Sequence, residues 1–333
     1  MALKNKLAIG TSSLGLHPSH TLDRKISAAA RHGFLGIEIV RAELEAYSKS
    51  KNIHITLGAA QIRRLCQENG LEILSLCPFE NFEGHPSPLE ERLNVAADWI
   101  NIARILGAKY LQIPAQYGKG ANSDEALLVY ELQQLADIGG AAEPLISIAY
   151  EPMSWSLFCS TWQDVLRFTN LVNRDNFGVC LDSFHIASKL WGSPYEPSGK
   201  RPNGDEILAE SLNDFVRDFP LEKLLYVQLS DGERFDPPFS EDHPWYLKDE
   251  APEFTWSKHA RPFPLETELG GCMPMVEIVQ ALIIDKGFDG WVSLESFDRR
   301  MRAEAVDVEH CAARAQRSMQ KLQQALNLRK SRL

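Results

Sequence analysis

The sequence predicts an α/β fold, a single (β/α)8 barrel spanning residues 1–333. Three observations lead there. Short apolar runs alternate with longer amphipathic stretches, eight such pairs can be counted, and no glycine-rich phosphate fingerprint follows the first run, as a doubly wound sheet would favour.

The runs are, in order, "KLAIGTSS" from Lys6, "GIEIV" from Gly36, "EILSLCPF" from Glu72 and "YLQIPA" from Tyr110. Then come "LISIAYEP" from Leu145, "FGVCLDSF" from Phe177, "LLYVQLSD" from Leu224 and "GWVSLESF" from Gly290. Most are rich in β-branched or aromatic residues, as strands are. Between them, Pro88 to Leu106 sets Leu89, Leu93, Ala96, Ala97 and Ile100 at helical spacing. Asp124 to Ile138 reads as a helix too, and one from about Val306 to Leu326 closes the ring. Gly33, Gly70, Gly107 and Gly287 stand where a left-handed helix stop is expected. Alternating strands and helices imply parallel pairing through right-handed crossovers. Two connections exceed simple turns: Lys189 to about Asp205, and Gly232 to about Gly271. They follow strands six and seven, so long loops should lie over the carboxyl-terminal face of the barrel.

Composition narrows the function classes. With 45 acidic against 35 basic residues the net charge is -10, which argues against a nucleic acid or an anionic membrane as partner. Six cysteines form no CxxC pair, which points to reduced thiols and a cytoplasmic protein. No run is long enough to span a membrane. The terminal Ser331-Arg332-Leu333 is similar to the Ser-Lys-Leu peroxisomal address, so peroxisomal import is the alternative. The expected partner is a small-molecule substrate. A homo-oligomer is compatible with the sequence but not read from it.

The chemistry gathers at the ends of the last four strands. Strand residues alternate faces. If Ile148, Tyr150, Val179, Leu181, Val227, Leu229, Val292 and Leu294 face the helices, then Glu151, Asp182, Gln228 and Glu295 face inward near the strand ends. Barrel enzymes place their active sites there. Three converging carboxylates would repel one another without a cation. Three carboxylates and an amide form an oxygen-rich metal site, which favours Mn2+, Co2+ or Mg2+. Glu38 points inward from the second strand by the same alternation and is a candidate hydrogen-bond partner for a substrate.

These residues also carry a family resemblance. The chain resembles the xylose isomerase-like TIM barrels, and more closely the 3-dehydroshikimate dehydratases of quinate and shikimate breakdown. The likeness is densest in "YEPMSW", "NFGVCLDSFH", "YVQLSDGER", "WSKHARPFP" and "GFDGWVSLESFDRRM". It implies that Glu151, Asp182, Gln228 and Glu295 are the metal ligands, and that Ser257 and Arg261 hold the substrate. It departs at Cys77, where the family often has Gln, and at Met153, where one branch has a catalytic His. The implied reaction is loss of water from 3-dehydroshikimate to give protocatechuate. Glu151 and Glu295 then take part in catalysis through the metal, and His185, three residues after Asp182, is the candidate base because an imidazole titrates near neutrality. That role requires the sixth strand to end at Ser183 or Phe184. Arg261 would clamp a carboxylate as a planar fork. His259 and Arg92 are further candidate substrate contacts, and Trp155 and Phe297 candidate pocket walls. The alternative function is a metal-dependent isomerase or epimerase of a sugar or inositol-like keto compound. From another class, a catalytically inert barrel that only binds a ligand is opposed by the intact set of metal-ligand candidates.

Overall fold

The computed structural model describes residues 3–330. Ser331, Arg332 and Leu333, and with them the import signal read from the sequence, lie outside the described residues. Eight parallel strands close in the order β1 (Leu7–Gly10), β2 (Gly36–Val40), β3 (Glu72–Cys77), β4 (Tyr110–Pro114), β5 (Ser147–Glu151), β6 (Phe177–Asp182), β7 (Leu224–Leu229) and β9 (Trp291–Leu294), and β9 pairs back onto β1. Around them lie α1 (Leu22–Arg31), α2 (Arg41–Ser50), α3 (Ile55–Glu68), α4 (Leu89–Leu106), α5 (Glu125–Gly140), α6 (Trp162–Val172), α7 (Ser183–Leu190), α8 (Gly204–Asp218), α9 (Pro252–His259), α10 (Met275–Val279) and α11 (Val308–Lys330). No helix of the described residues is long and apolar enough to cross a membrane.

The alternation holds. Ile148, Tyr150, Val179, Leu181, Val227, Leu229, Val292 and Leu294 are buried in the layer between strands and helices. Ala149, Cys180 and Tyr226 pack inside the barrel with Ala8, Leu74 and Trp291. Slipping β6 by one residue would turn Val179 and Leu181 inward and drive the Asp182 carboxylate into the apolar layer. Each misplaced aliphatic side chain is worth about 1.5–3 kcal/mol, and an unpaired buried carboxylate costs more, so register is strongly specified.

The ends follow local chemistry. Gly107, past α4, takes φ 82°, and Gly33, past α1, takes φ 80°, a region open to glycine at no steric cost. Thr161 and Asp164 form a reciprocal capping box at α6. The expected long loop after β7 is partly ordered: Pro252 opens α9, and Ala260–Arg261 (β8) pairs antiparallel with Phe297–Asp298 (β10). Proline suits the first helical turn, where its missing N–H would be unpaired anyway. The expected long connection after β6 runs over residues 191–203, between α7, which begins at Ser183 directly after Asp182, and α8. All six cysteines are free.

Candidate active site

The cavity at the carboxyl-terminal mouth of the barrel measures about 470 Å³, within the range of small-molecule sites. Glu151 lies on its floor at the end of β5, 2% exposed. Gln112, inward on β4, donates to its Oε2. Its Oε1 faces His185 Nε2 at 3.5 Å, and neither atom has a hydrogen-bond partner among the described residues. Asp182 ends β6 and caps α7: its Oδ1 accepts the Phe184 N–H at 2.7 Å. Because β6 stops at Asp182, His185 falls on the first turn of α7 and turns into the site. Asp182 Oδ2 lies 3.9 Å from His185 Nε2.

Glu151, Asp182 and His185 offer ligand atoms that all lie within 4.8 Å of one another, and all three residues are buried. An orphaned buried carboxylate oxygen, Glu151 Oε1, beside two further acids is what a bound cation would satisfy, so the donor set fits a divalent metal. The carboxylates and Gln228 would hold it, but Gln228 is turned away. Its Nε2 sits 3.2 Å from Glu295 Oε1 and 3.2 Å from both oxygens of Glu38, while Oε1 lies 3.2 Å from Cys180 Sγ. Gln228 joins an oxygen set only with its amide turned over. Glu38, besides Gln228, accepts from Ser75 and Ser293 deep in the barrel, so it braces Gln228 rather than meeting a substrate.

His185 is held through Nδ1. The Ser154 N–H donates to it at 3.1 Å, and Ser154 Oγ lies at 3.4 Å. A backbone N–H can only donate, so in this tautomer the ring hydrogen sits on Nε2 and His185 is not a metal ligand. In the other tautomer Ser154 Oγ is the acceptor for Nδ1–H, and Nε2 is bare. Trp155 packs edge-on at 4.7 Å from the imidazole.

Arg261 is not the free fork expected for a substrate. It is 1% exposed, and its guanidinium lies between the rings of Phe184 and Phe297, at 4.7 and 5.1 Å. Nε donates to Ser230 Oγ at 3.0 Å and Nη1 to Ser257 Oγ at 3.2 Å. Nη2 pairs with Asp182 and, at 3.2 Å, with Glu295 Oε2. A buried site crowded with acids must balance its charge, and this arginine does so. Two other expectations are corrected. Arg92 is buried and bound by two hydrogen bonds, of 2.7 and 2.6 Å, to Glu131 of α5, outside the cavity. A buried arginine on α4 needs an acid on the neighbouring helix and finds one there. His259 stacks on Trp245 at 4.7 Å and does not line the cavity, because it sits at the end of α9 and faces the loop after β7. Ser257, Trp155 and Phe297 do line it.

Sequence reasoning missed Gln112, Tyr117, Glu43, Glu80, Phe254, Lys258 and Arg302. Alternation in "YLQIP" would have found Gln112; the others sit on loops and helix ends, where no periodicity applies.

Burial raises the Glu151 carboxyl well above the usual range, helped by the charges of Glu295 and Asp182. Burial also raises Asp182 and brings Glu295 to about 8, both opposed by Arg261. Burial and Arg261 push His185 well below 6.5, so the ring is neutral near pH 7. The signs give a prediction. Folded carboxyls that keep protons the unfolded chain releases stabilise at low pH, and that stability is lost as pH rises through about 8. The lowered imidazole acts in the opposite sense, and only below pH 6.5. The cation-free protein should therefore lose Tm as pH rises from 6.5 toward 8. Glu83, raised to about 7 by burial, adds a slope that no site cation removes. The test is the Tm difference between Mn2+-loaded and cation-free protein, which should grow with pH because the ligands must ionise. A difference that is flat in pH would refute it.

A parallel barrel with buried acids at its carboxyl-terminal mouth is the frame of one class of enzymes, and the chain belongs to it, the xylose isomerase-like TIM barrel family, whose sequence profile matches residues 26–324. More narrowly, it is 37% identical to the 3-dehydroshikimate dehydratase of Neurospora crassa, over 98% of this chain and 96% of that protein. It is 30% identical to the 3-dehydroshikimate dehydratase of Pseudomonas aeruginosa over 89% of this chain, and spans 38% of that longer protein. Among solved structures, a xylose isomerase-like TIM barrel/4-hydroxyphenylpyruvate dioxygenase fusion protein superposes with a TM-score of 0.75 at 28% identity, covering 98% of this chain and 44% of that one.

Proposed function

We propose that this chain is a metal-dependent 3-dehydroshikimate dehydratase that forms protocatechuate and water, in quinate and shikimate breakdown. The observation that carries the reading is the pair of orphaned, buried atoms Glu151 Oε1 and His185 Nε2, facing each other across a cluster of acids in the cavity. The full-length likeness to the Neurospora enzyme supports the choice of substrate. Glu151, Asp182 and Glu295, with Gln228, would hold a divalent cation (Mn2+, Co2+ or Mg2+), which would supply Lewis-acid polarisation of the ketone oxygen.

The remaining work falls to the side chains. The ring loses a proton from the carbon beside the ketone and a hydroxyl from the next carbon; a second proton then moves from the ring methylene to the ketone oxygen, and the ketone becomes a phenol. His185 takes the first proton at bare Nε2, with Nδ1–H directed to Ser154 Oγ, and returns it to the departing hydroxyl as water forms. Burial keeps the ring neutral and ready to accept. Tyr117, Trp155 and Phe254 pack ring to ring along the cavity and exclude water from one side. Arg261 keeps Asp182, Ser230 and Glu295 in register and, with Ser257, borders the substrate.

The direct test is to incubate Mn2+-loaded protein with 3-dehydroshikimate and follow protocatechuate by its ultraviolet absorbance; no absorbance change would refute the reading. Arg261→Lys tests the clamp. Lysine keeps the charge but cannot bridge Asp182, Ser230 and Glu295 at once, so kcat/KM should fall by ~2 kcal/mol or more. An unchanged kcat/KM would remove Arg261 from the site's machinery.

A further inference from the structure

Three cations line the cavity: Lys258, Arg261 and Arg302. Two are already neutralised. Lys258 Nζ lies 2.6 Å from Glu250, and Arg261 bridges Asp182 and Glu295. Arg302, just past β10, has no carboxylate partner among the described residues. Its one hydrogen bond among them runs from Nη2 to the Lys258 carbonyl at 3.0 Å, and the side chain is exposed. Two further acids on the lining have partners of their own: Glu43 pairs with Lys25 at 2.8 Å, and Glu80 accepts from the Tyr117 hydroxyl.

Charge then decides the matter. With three carboxylates, one divalent cation and Arg261, the floor of the site carries no surplus positive charge, and Glu38 and Glu80, bonded only to neutral groups, add none. An anionic substrate would bring an unbalanced charge into a partly dehydrated cavity, which is costly without a counter-ion. We propose that Arg302 is the residue that selects a ring carboxylate, receiving it at the mouth of the cavity while the ring's oxygens reach the floor. The guanidinium fork suits a carboxylate, and four of its five N–H groups are uncommitted. Reach and freedom are what Arg261, locked between two rings, lacks. This assignment rests on the dehydratase reading, and it makes the carboxylate rather than the ketone the group that distinguishes substrates at the mouth.

The experiment compares protocatechuate with catechol, the same ring without the carboxylate, by calorimetry on Mn2+-loaded protein. Arg302→Gln should raise the Kd for protocatechuate about tenfold or more and leave that for catechol unchanged. It should raise KM for 3-dehydroshikimate similarly, while kcat changes far less. Arg302→Lys should fall between, because it keeps the charge and loses the fork. An exposed site tolerates these changes, and circular dichroism checks the fold. If the unaltered protein turns over 3-dehydroshikimate and Arg302→Gln matches its Kd for protocatechuate, Arg302 is a solvated surface residue and the proposal fails alone. If the unaltered protein neither turns over that substrate nor binds protocatechuate, the dehydratase reading fails and takes this one with it.

Discussion

Glu151→Ala should reduce turnover about 10³-fold or more, to the level of chelator-treated protein. Glu151 presents an unsatisfied buried oxygen to the cluster and is buried against Asp182 and His185. Removing it takes away a ligand and the acceptor opposite His185 Nε2. A chelator should silence the unaltered protein, and Mn2+, Co2+ or Mg2+ should restore it, whereas none should restore the variant. Calorimetry should show weaker Mn2+ binding to the variant, independent of turnover. The cation-free variant should also unfold at a higher temperature than the cation-free parent above neutrality, because it no longer buries that carboxylate beside two others. Full activity in cation-free protein would remove the metal from the proposal.

The second large effect is at His185. Proton transfer by a placed side chain contributes ~10²–10⁴-fold, so His185→Asn should lower kcat by about that factor. Cation affinity should stay largely unchanged, since the proposed ligands are Glu151, Asp182, Glu295 and Gln228, and the bare Nε2 is kept for the substrate proton, with Nδ1–H on Ser154 Oγ. The pH profile gives the independent readout. Protonating the ring removes the lone pair that accepts the substrate proton, so activity falls on the acid side. Because burial and Arg261 lower the imidazole's affinity for protons, that acid limb lies below pH 6.5. It should vanish in the variant. A variant that keeps most of its kcat with the limb intact would make His185 a wall of the cavity, and the proton acceptor would be a carboxylate.

Much of this molecule is legible in one dimension because its physics is periodic. Alternation along β5, β6, β7 and β9 places Glu151, Asp182, Gln228 and Glu295 at one end of a barrel without any coordinates, since a slip of one residue would bury acids among apolar side chains. The direction of His185 was legible only as a condition, that β6 ends early. The structure meets it by having Asp182 cap the helix that begins at Ser183.

Partner choice was not legible, because it depends on distance in space. Arg92, in the predicted helix from Pro88, and Arg261, in the long connection after the seventh strand, both read from the sequence as arginines able to meet a substrate. Folding sends one to Glu131 on a neighbouring helix and the other between two rings onto Asp182 and Glu295. The amide of Gln228 is likewise aimed by Glu38, a residue 190 positions away. The sequence by itself determined the barrel, its register and the inward acids, because those follow from local period and from the cost of burying charge. Only the tertiary structure decided which charges neutralise one another, because Coulomb energy is set by separation and burial, and neither is written along the chain.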